Sequence, residues 1–378
     1  MEREYQVRLY RSGDEEQIIR LLQTGFGGWP QFDVSCEPID HWKWKYLENP
    51  LKTKLICVTE SENKVVGCYH MFLVNVKIRD NITIWRLIAD LAVHPQYRRL
   101  GIYRKMWDFA AEKANEMGLN FSYWVSGNPI IISTSEDYPG FPYPILNLVR
   151  IQDIDKQIKA MPMDNAWFYK IGYYTLKLTN FFKNILKIFE SDWQNLLVYE
   201  VDGFTDLIED FWTNVLKHYN FIIVRNKEYL NWRYCDPRAG DFIIRKVEIE
   251  GQILGFSVLK INKLKKDYPV GFIVDMVTSP NRLDVANRLI ADAVEYFDNQ
   301  DINIINCQVI KGHPFEMIYR RYGFLDSRMT LYLYFGSPDI ERENLEIELN
   351  KIKTDSADRL HFSYGDIDSL PSSLPVRR

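Results

Sequence analysis

The chain has 378 residues, 46% hydrophobic and 26% charged, with 47 basic against 51 acidic side chains and a net charge of −4. This is the composition of a folded globular protein, and at roughly 100–200 residues per domain the length suits two or three domains. The near-balanced charge argues against nucleic acid as a partner, no run of 18 uncharged apolar residues offers an integral membrane span, and five cysteines with no CxxC pair (Cys36, Cys57, Cys68, Cys235, Cys307) argue against a disulfide framework.

The N-terminal MEREYQVRLYRSGDEE is charged and lacks the apolar core of a secretory leader, so the cysteines read as reduced thiols in a cytoplasmic protein. QVRLYR is a short strand, and Asp14 is placed to cap a helix over EEQIIRLLQTGF, whose apolar residues fall at helical spacing. HWKWKYLENP (41–50) is aromatic-rich, and Trp42, Trp44 and Tyr46 read as core more readily than as an acceptor pocket. KVVGCYHMFLVNV and ITIWRLIADLAV are strands joined by a turn at RDN, and Pro95 ends the second. From Tyr103 to Met117, Met106, Phe109, Ala110, Ala114 and Met117 make one helical face, and Gly118 is placed to stop the helix. NFSYWV is a further strand. The order β–α–β–β–α–β predicts an α+β or mixed α/β unit with helices over a mainly antiparallel sheet. Lysines 170, 177, 183 and 187 interrupt the apolar stretch Trp167 to Phe189, which reads as a connecting helix packed on the protein in preference to an amphipathic helix on a membrane surface.

The chain then repeats itself. YLNWRYCDPR (229–238) echoes HWKWKYLENP, QILGFSVLK (252–260) echoes KVVGCYHMF (64–72), and VDMVTSP (274–280) echoes ADLAVHP (89–95). Trp44 and Trp232, Gly67 and Gly255, and Asp90 and Asp275 recur in one order at nearly one offset, the signature of an internal duplication. The expected division is a first unit at 1–155, a helical linker at 156–194, a second unit at 195–338 and a charged, poorly ordered C-terminal tail at 339–378.

The segment DLAVHPQYRRLGIYRKM (90–106) joins a strand to a helix through a glycine preceded by arginines. The first N–H groups of a helix lack internal partners and carry positive partial charge, so they bind phosphate oxygens. Gly101 admits turn angles closed to other residues, and Arg98, Arg99 and Arg104 add positive donors. A pyrophosphate is the natural guest. Neither GxxxxGK[ST] nor GxGxxG occurs.

The pattern resembles the GNAT superfamily of N-acetyltransferases, whose phosphate-binding signature is Gln/Arg-x-x-Gly-x-Gly/Ala. Here it reads Arg98-Arg99-Leu100-Gly101-Ile102-Tyr103, with Tyr103 where the pattern has Gly or Ala. The resemblance covers the first unit well and the second in outline. It implies acetyl-CoA as co-substrate and no metal. It also implies a splayed strand whose backbone at Leu91, Ala92 and Val93 receives the pantetheine arm, a CoA contact from Asn128, and an acid in Y-x-x-x-G-F. The first unit offers for that acid only Tyr138, in SEDYPGF, too close to Gly140-Phe141 for the spacing. Asp90 is a candidate base, or else a strand residue paired with an arginine.

At the 185-residue offset Leu283, Asp284 and Ala286 replace Arg98, Arg99 and Gly101, so the second unit reads as unable to bind phosphate, although it keeps Tyr319, Gly323 and Phe324 in the Y-x-x-x-G-F spacing. The six histidines form no Cys/His or Ser/His set, which favours direct attack over a covalent intermediate. The expected function is N-acetyl transfer to a primary amine of a small molecule, an amino sugar among the candidates, by a monomer or homodimer. The alternatives are tRNA-dependent aminoacyl transfer, which tandem units of this kind also resemble, and a non-catalytic binding module.

Overall fold

A computed structural model describes residues 4–127, 132, 143–153, 156, 195–336, 339–368 and 370. The expected helix at Trp167 to Phe189, most of the 156–194 linker, Asn128 and Tyr138 lie outside these residues. In the first unit, β1 (Gln6–Leu9), α1 (Glu15–Phe26) and α2 (Pro38–Leu47) lead into β2 (Leu55–Ser61), β3 (Lys64–Ile78) and β4 (Asn81–Val93). Then come α3 (Ile102–Glu116), β5 (Phe121–Ser126) and β6 (Ile145–Ile151). The second unit holds β7 (Val198–Val201), α4 (Leu207–His218), β8 (Phe221–Ile223), α5 (Lys227–Tyr234), β9 (Ile243–Ile249), β10 (Gln252–Asn262) and β11 (Val270–Thr278). It continues with α6 (Leu283–Asp298), β12 (Ile304–Ile310), α7 (Pro314–Arg321) and β13 (Leu325–Gly336), and α8 (Asp339–Ile352) follows. The fold is mixed α/β, as expected, with the β4–β5 and β11–β12 pairs parallel and the other strand pairs antiparallel. Asp14 stands at the start of α1, but its carboxylate caps nothing in the helix. It accepts from the Arg8 guanidinium at 2.7 and 2.9 Å and from the Arg11 amide at 2.8 Å.

One sheet runs through both units in the order β1-β2-β3-β4-β5-β13-β6-β12-β11-β10-β9-β7, with β8 added to β3. The order is the same read from either end once each strand is matched to its counterpart, so the two units face each other about a pseudo-twofold axis. At the seam the last strands are exchanged. β13 pairs with β5 of the first unit, Tyr332 opposite Ser126 through Gly336 opposite Ser122. β6 pairs with β12 of the second, Ile304 opposite Ile151 through Ile310 opposite Ile145. Each unit therefore completes its backbone hydrogen bonding only with the other's strand.

The duplicated landmarks meet at this axis. Trp44 and Trp232 stack at 4.9 Å, and each indole N–H donates to the other's carbonyl, at 3.0 and 3.2 Å. The repeated glycines share one duty. A Cβ at Gly67 would come within 3.1 Å of Ile102 and Met106 of α3, and one at Gly255 within 2.8 Å of Val285 of α6, so in both units a glycine lets the helix lie close on the strand.

The described part of the expected poorly ordered tail, 339–368 and 370, is packed on the protein, and most of its Ser/Pro-rich end lies outside the described residues. Residues 339–352 form α8, with Leu345, Leu349 and Ile352 buried, and the strap from Ala357 to Leu370 buries Leu360, Phe362 and Tyr364. Charged side chains on the outer face of α8 and the Ser/Pro-rich end mask an apolar i, i+4, i+7 stripe. Among the described residues, no helix is long and apolar enough to cross a membrane.

Because the sheet is continuous and its strands exchanged, the chain is expected to unfold in one cooperative transition in urea. Trp44→Ala should cost about 3–5 kcal/mol. With Trp232→Ala the two losses should fall short of additivity by roughly 0.5–3 kcal/mol, because each removes the same contact. Two separated transitions, or strict additivity, would contradict the shared seam.

Candidate functional site

The loop between β4 and α3 makes a cradle on its backbone. Pro95–Tyr97 form a 3-10 turn, Arg99 takes a φ of +66°, and Gly101 takes a φ of +75° as the N-cap of α3. The first intrahelical bond runs from the Lys105 amide to the Gly101 carbonyl at 3.1 Å, so the earlier amides of this turn face out of the helix end. Arg98, Arg99 and Gly101 are exposed, Arg98 Nε donates to the Val93 carbonyl at 3.2 Å, and Arg104 pairs with Asp108 at 3.0 Å. The Leu100 carbonyl is turned away to the Tyr5 hydroxyl at 2.8 Å. Ile102 is buried against β3, while Tyr103 is 51% exposed with its ring beside Trp107.

β4 leads into this cradle and leaves its neighbour on the way. It pairs with β5 only from Trp85 opposite Phe121 to Leu87 opposite Tyr123, while its other edge stays on β3 through Val93. The edge of β4 beyond Leu87 is thus unclaimed by β5. A bulge interrupts the β3–β4 register between Cys68 and His70, and Asp90 sits in it with a φ of +36°. Such a backbone persists only when its surroundings hold it. Here the Asp90 carboxylate accepts from Lys45 Nζ at 2.7 Å and from the Tyr46 hydroxyl at 2.5 Å, and its carbonyl accepts from His70 Nδ1 at 2.8 Å. Leu91 and Val93 are half-buried on the α3 side, and Ala92 is buried against the α1 side. The partner of Asp90 is therefore a lysine from α2, and not the arginine anticipated.

The cluster's protonation follows from its bonds. Trp42 Nε1 donates to His70 Nε2 at 2.9 Å, so His70 must carry its proton on Nδ1 and is neutral. Burial pushes the imidazoles of His70 and His41 down to about 4. Burial also opposes the charge on Asp90, but Lys45 outweighs it and holds the carboxyl low, at about 2. Lys45 is buried, and its ammonium reaches a second carboxylate, Asp368 on the C-terminal strap, at 3.1 Å. Trp42, Trp44 and Tyr46 are all core.

Two cavities meet here. One, of about 300 Å³, is walled by Phe26, Trp29, Phe32, His41, Lys45 and Asp90. The other, of about 440 Å³, lies in the splay between β4 and β5, with Leu87, Trp124, Val125 and Leu331 in its wall. Ile88 and Asp368 belong to both. Asp368 could not be found in the sequence, because it is contributed by a segment that reads as a tail.

The second unit shows the same parts closed off. Residues 94–101 join β4 to α3, but only 279–282 join β11 to α6. The constant offset therefore fails here. Leu283, Asp284 and Ala286 are the first turn of α6, not loop residues, and Arg282 is the N-cap, bonded to Asp284 at 2.6 Å. An acidic side chain already occupies the helix end where an anion would sit. The strap fills what remains. His361 bonds the Met276 carbonyl at 3.1 Å, and the fully buried Arg225 joins Asp275 at 2.7 Å to Asp366 at 2.5 Å. A Cβ at Gly365 would collide with Tyr234 and Asp275. The cavity left beside Tyr319 is about 20 Å³, the size of one water. Among the described residues no group of His, Cys, Asp and Glu is arranged to hold a metal ion.

A family model described as an acetyltransferase (GNAT) domain matches residues 6–133. Among solved structures the chain is similar to an N-myristoyltransferase of Saccharomyces cerevisiae with bound myristoyl-CoA, with a TM-score of 0.61 and 13% identity over 88% of this chain and 79% of that one. It is similar to a conserved protein of unknown function from Enterococcus faecalis V583, described as a probable N-acyltransferase, with a TM-score of 0.57 and 10% identity over 88% and 72% of the two chains. A GCN5-related N-acetyltransferase from Anabaena variabilis ATCC 29413 gives a TM-score of 0.56 and 12% identity over 87% and 72%. At these identities the likeness is one of fold. No curated protein is significantly similar in sequence.

The buried histidines make stability fall with acid. Their folded values lie below the ordinary 6.5, so the unfolded chain takes up protons that the folded chain refuses, and the stability present above 6.5 is lost as pH falls through about 4. Between pH 7 and pH 5 each should cost about 2 kcal/mol. Urea unfolding at the two pH values should show the wild type losing about that much more than His70→Gln. Equal losses would mean that His70 is not held neutral.

Proposed function

We propose that this chain, a member of the GNAT acyltransferase superfamily through its residues 6–133, moves an acetyl group from acetyl-CoA to the primary amine of a small molecule. The observation that carries this reading is the continuity of three features along β4. A splayed edge from Ile88 passes a strained bulge at Asp90 and ends in the backbone cradle at Gly101. In this reading the pyrophosphate lies on the amides from Arg99 to Arg104 with Arg98 and Arg99 beside it. Pantetheine runs along Leu91, Ala92 and Val93, and one of their N–H groups polarises the thioester carbonyl. Asn128 would contact CoA and Tyr138 would protonate the departing thiolate, as the resemblance implies.

The acceptor enters the 300 Å³ cavity, where Trp29, Phe26 and Phe32 offer flat faces suited to a sugar ring or an aromatic body. The amine nitrogen attacks the thioester carbon directly, and the C–S bond breaks to release CoA. Holding both reactants in one cleft can supply on the order of 7–11 kcal/mol. Asp90 serves as a positioning residue, since Lys45 and Tyr46 engage its carboxylate and the low pKa makes it a weak base. The second unit supplies β13, and the strap after it Ile367 and Asp368, to the wall of this site. With all five cysteines free, we place the protein in the cytoplasm.

One observation favours a second reading of the donor. The 440 Å³ cavity lies beyond the bulge from the phosphate loop, where an acyl chain would extend, and its walls are largely apolar. A longer acyl group than acetyl would fill it.

Calorimetric titration with acetyl-CoA should show binding at about one per chain, abolished by Gly101→Glu while the circular dichroism of the variant stays native. A glutamate there must adopt the left-handed conformation, at a cost of roughly 1–2 kcal/mol, and it brings a negative charge to the phosphate site. Retained affinity in the variant would overturn the assignment. A chain-length series from acetyl- to myristoyl-CoA decides the donor. Tightest binding at two carbons supports acetyl, and affinity rising by about tenfold per two methylenes, as burial of about 0.8 kcal/mol each requires, supports the longer chain.

A further inference from the structure

We infer that Asp368, on the C-terminal strap, is the carboxylate that receives the acceptor's ammonium group and takes its proton. This rests on the acyl-transfer reading above and names the residue that reading lacks. An amine offered to a thioester arrives protonated at neutral pH, and an ammonium has no lone pair with which to attack. The site must hold a cation and remove one proton from it.

The geometry singles out Asp368 among the acidic groups. It is one of two residues that border both cavities, and the other, Ile88, has no ionisable group. Asp90 is the alternative, but its Oδ2 accepts from both Lys45 and Tyr46, its side chain is less exposed than that of Asp368, and its backbone is tied to the strained bulge. Among the described residues Asp368 accepts from Lys45 alone, and its side chain is 17% exposed, which leaves an oxygen for a ligand. The charges around it favour a cation. From α2 come Lys45, Tyr46 and His41, from β3 His70, from β4 Asp90, from β5 Tyr123, whose hydroxyl donates to the Asp366 carbonyl, and from α5 Arg233. His41 and His70 are neutral, and Arg233 is turned to the Ile367 carbonyl at 2.6 Å and the Phe72 ring. One ammonium, that of Lys45, is thus shared by two carboxylates, and a second ammonium completes the pairing.

The pseudo-twofold supplies an independent argument. Two residues before Asp368, Asp366 makes a comparable link in the second unit, where it is fully buried on Arg225 beside Asp275, although Arg233, in the place of Lys45, bonds the Ile367 carbonyl instead. There the strap fills the site. In the first unit the same strap places the Asp368 carboxylate between two open cavities.

The step balances. R–NH3+ gives one proton to Asp368, the nitrogen lone pair forms the C–N bond to the thioester carbon, and the C–S bond breaks. The second nitrogen proton makes up the one that the acid of the reading above delivers to the leaving thiolate, and Asp368 returns its proton to solvent.

The test uses the full chain and three monoamines of different bodies, tyramine, glucosamine and butylamine, each beside its N-acetylated counterpart. Ligand-observed NMR should show the wild type preferring at least one amine over its uncharged counterpart by tenfold or more. Asp368→Asn should remove that preference, Asp368→Glu should keep part of it, and Asp284→Asn, in the closed unit, should leave it intact. With acetyl-CoA as donor, Asp368→Asn should lower kcat/KM for the preferred amine by about 10²-fold or more and flatten its pH profile, without changing acetyl-CoA affinity. No preference for any amine in the wild type, or the same preference in Asp368→Asn, overturns the proposal. Failure of the acyl-transfer reading looks different, because acetyl-CoA would not bind the wild type while the Asp368-dependent amine preference persisted.

Discussion

The exchange of last strands is the constraint on which the rest of the molecule depends. β5 ends the first unit's own run of strands and β12 ends the second's, and neither can close its backbone pairing without the strand the other unit provides. An unpaired edge in the middle of a large sheet would leave buried N–H and C=O groups unsatisfied. The pairing also fixes the relation of the two units, so the stacked Trp44 and Trp232 can each donate across the axis to the other's backbone. The seam brings β13, a second-unit strand, to the first unit's splay, where Met329 and Leu331 form part of the cavity wall.

From this symmetric frame the two sites diverge through a few local differences. An eight-residue junction with a left-handed glycine leaves helix amides available in one unit, and a four-residue junction ending in an Arg282–Asp284 pair uses up the helix end in the other. The strap then treats the halves unequally. It threads the second site with His361, Ser363 and Asp366, and among the described residues it borders the first site's cavities with Ile367 and Asp368. Burying Arg225 with two carboxylates and Ser363 costs desolvation that its hydrogen bonds offset, and the result is a rigid plug. The duplicate copy thus contributes β13, and the strap that follows it contributes Ile367 and Asp368, to the cavity walls of its twin.

In the first site charge and strain support one another. Asp90 stays in a disfavoured backbone conformation because Lys45, Tyr46 and His70 hold its side chain and carbonyl. His70 can do so only as the neutral Nδ1–H tautomer, which Trp42 enforces by donating to its other nitrogen. Three elements, α2, β3 and β4, set the bulge before any ligand arrives, the kind of preorganisation that acyl transfer uses.

Much of this was determined by the sequence alone. Periodicity placed α1, α3 and the long β3 and β4, and the spacing of Trp44, Gly67 and Asp90 against Trp232, Gly255 and Asp275 exposed the duplication, because packing partners must recur wherever a fold recurs. The arginine–glycine junction was legible because a helix end and a left-handed turn are local properties of a few consecutive residues. Other features were decided by tertiary structure. Which unit receives β6 and β13 depends on pairing between residues more than a hundred positions apart, and no local pattern encodes it. The shift of the α6 start was hidden because an offset carried through a deletion looks continuous until the helix is seen. Asp368 lay in a charged, Ser/Pro-flanked stretch whose few apolar residues bury themselves only against surfaces that both units build together. A carboxylate's role depends on what faces it, and Lys45, Asp90 and two cavities face Asp368 only once the chain has folded back across its own axis.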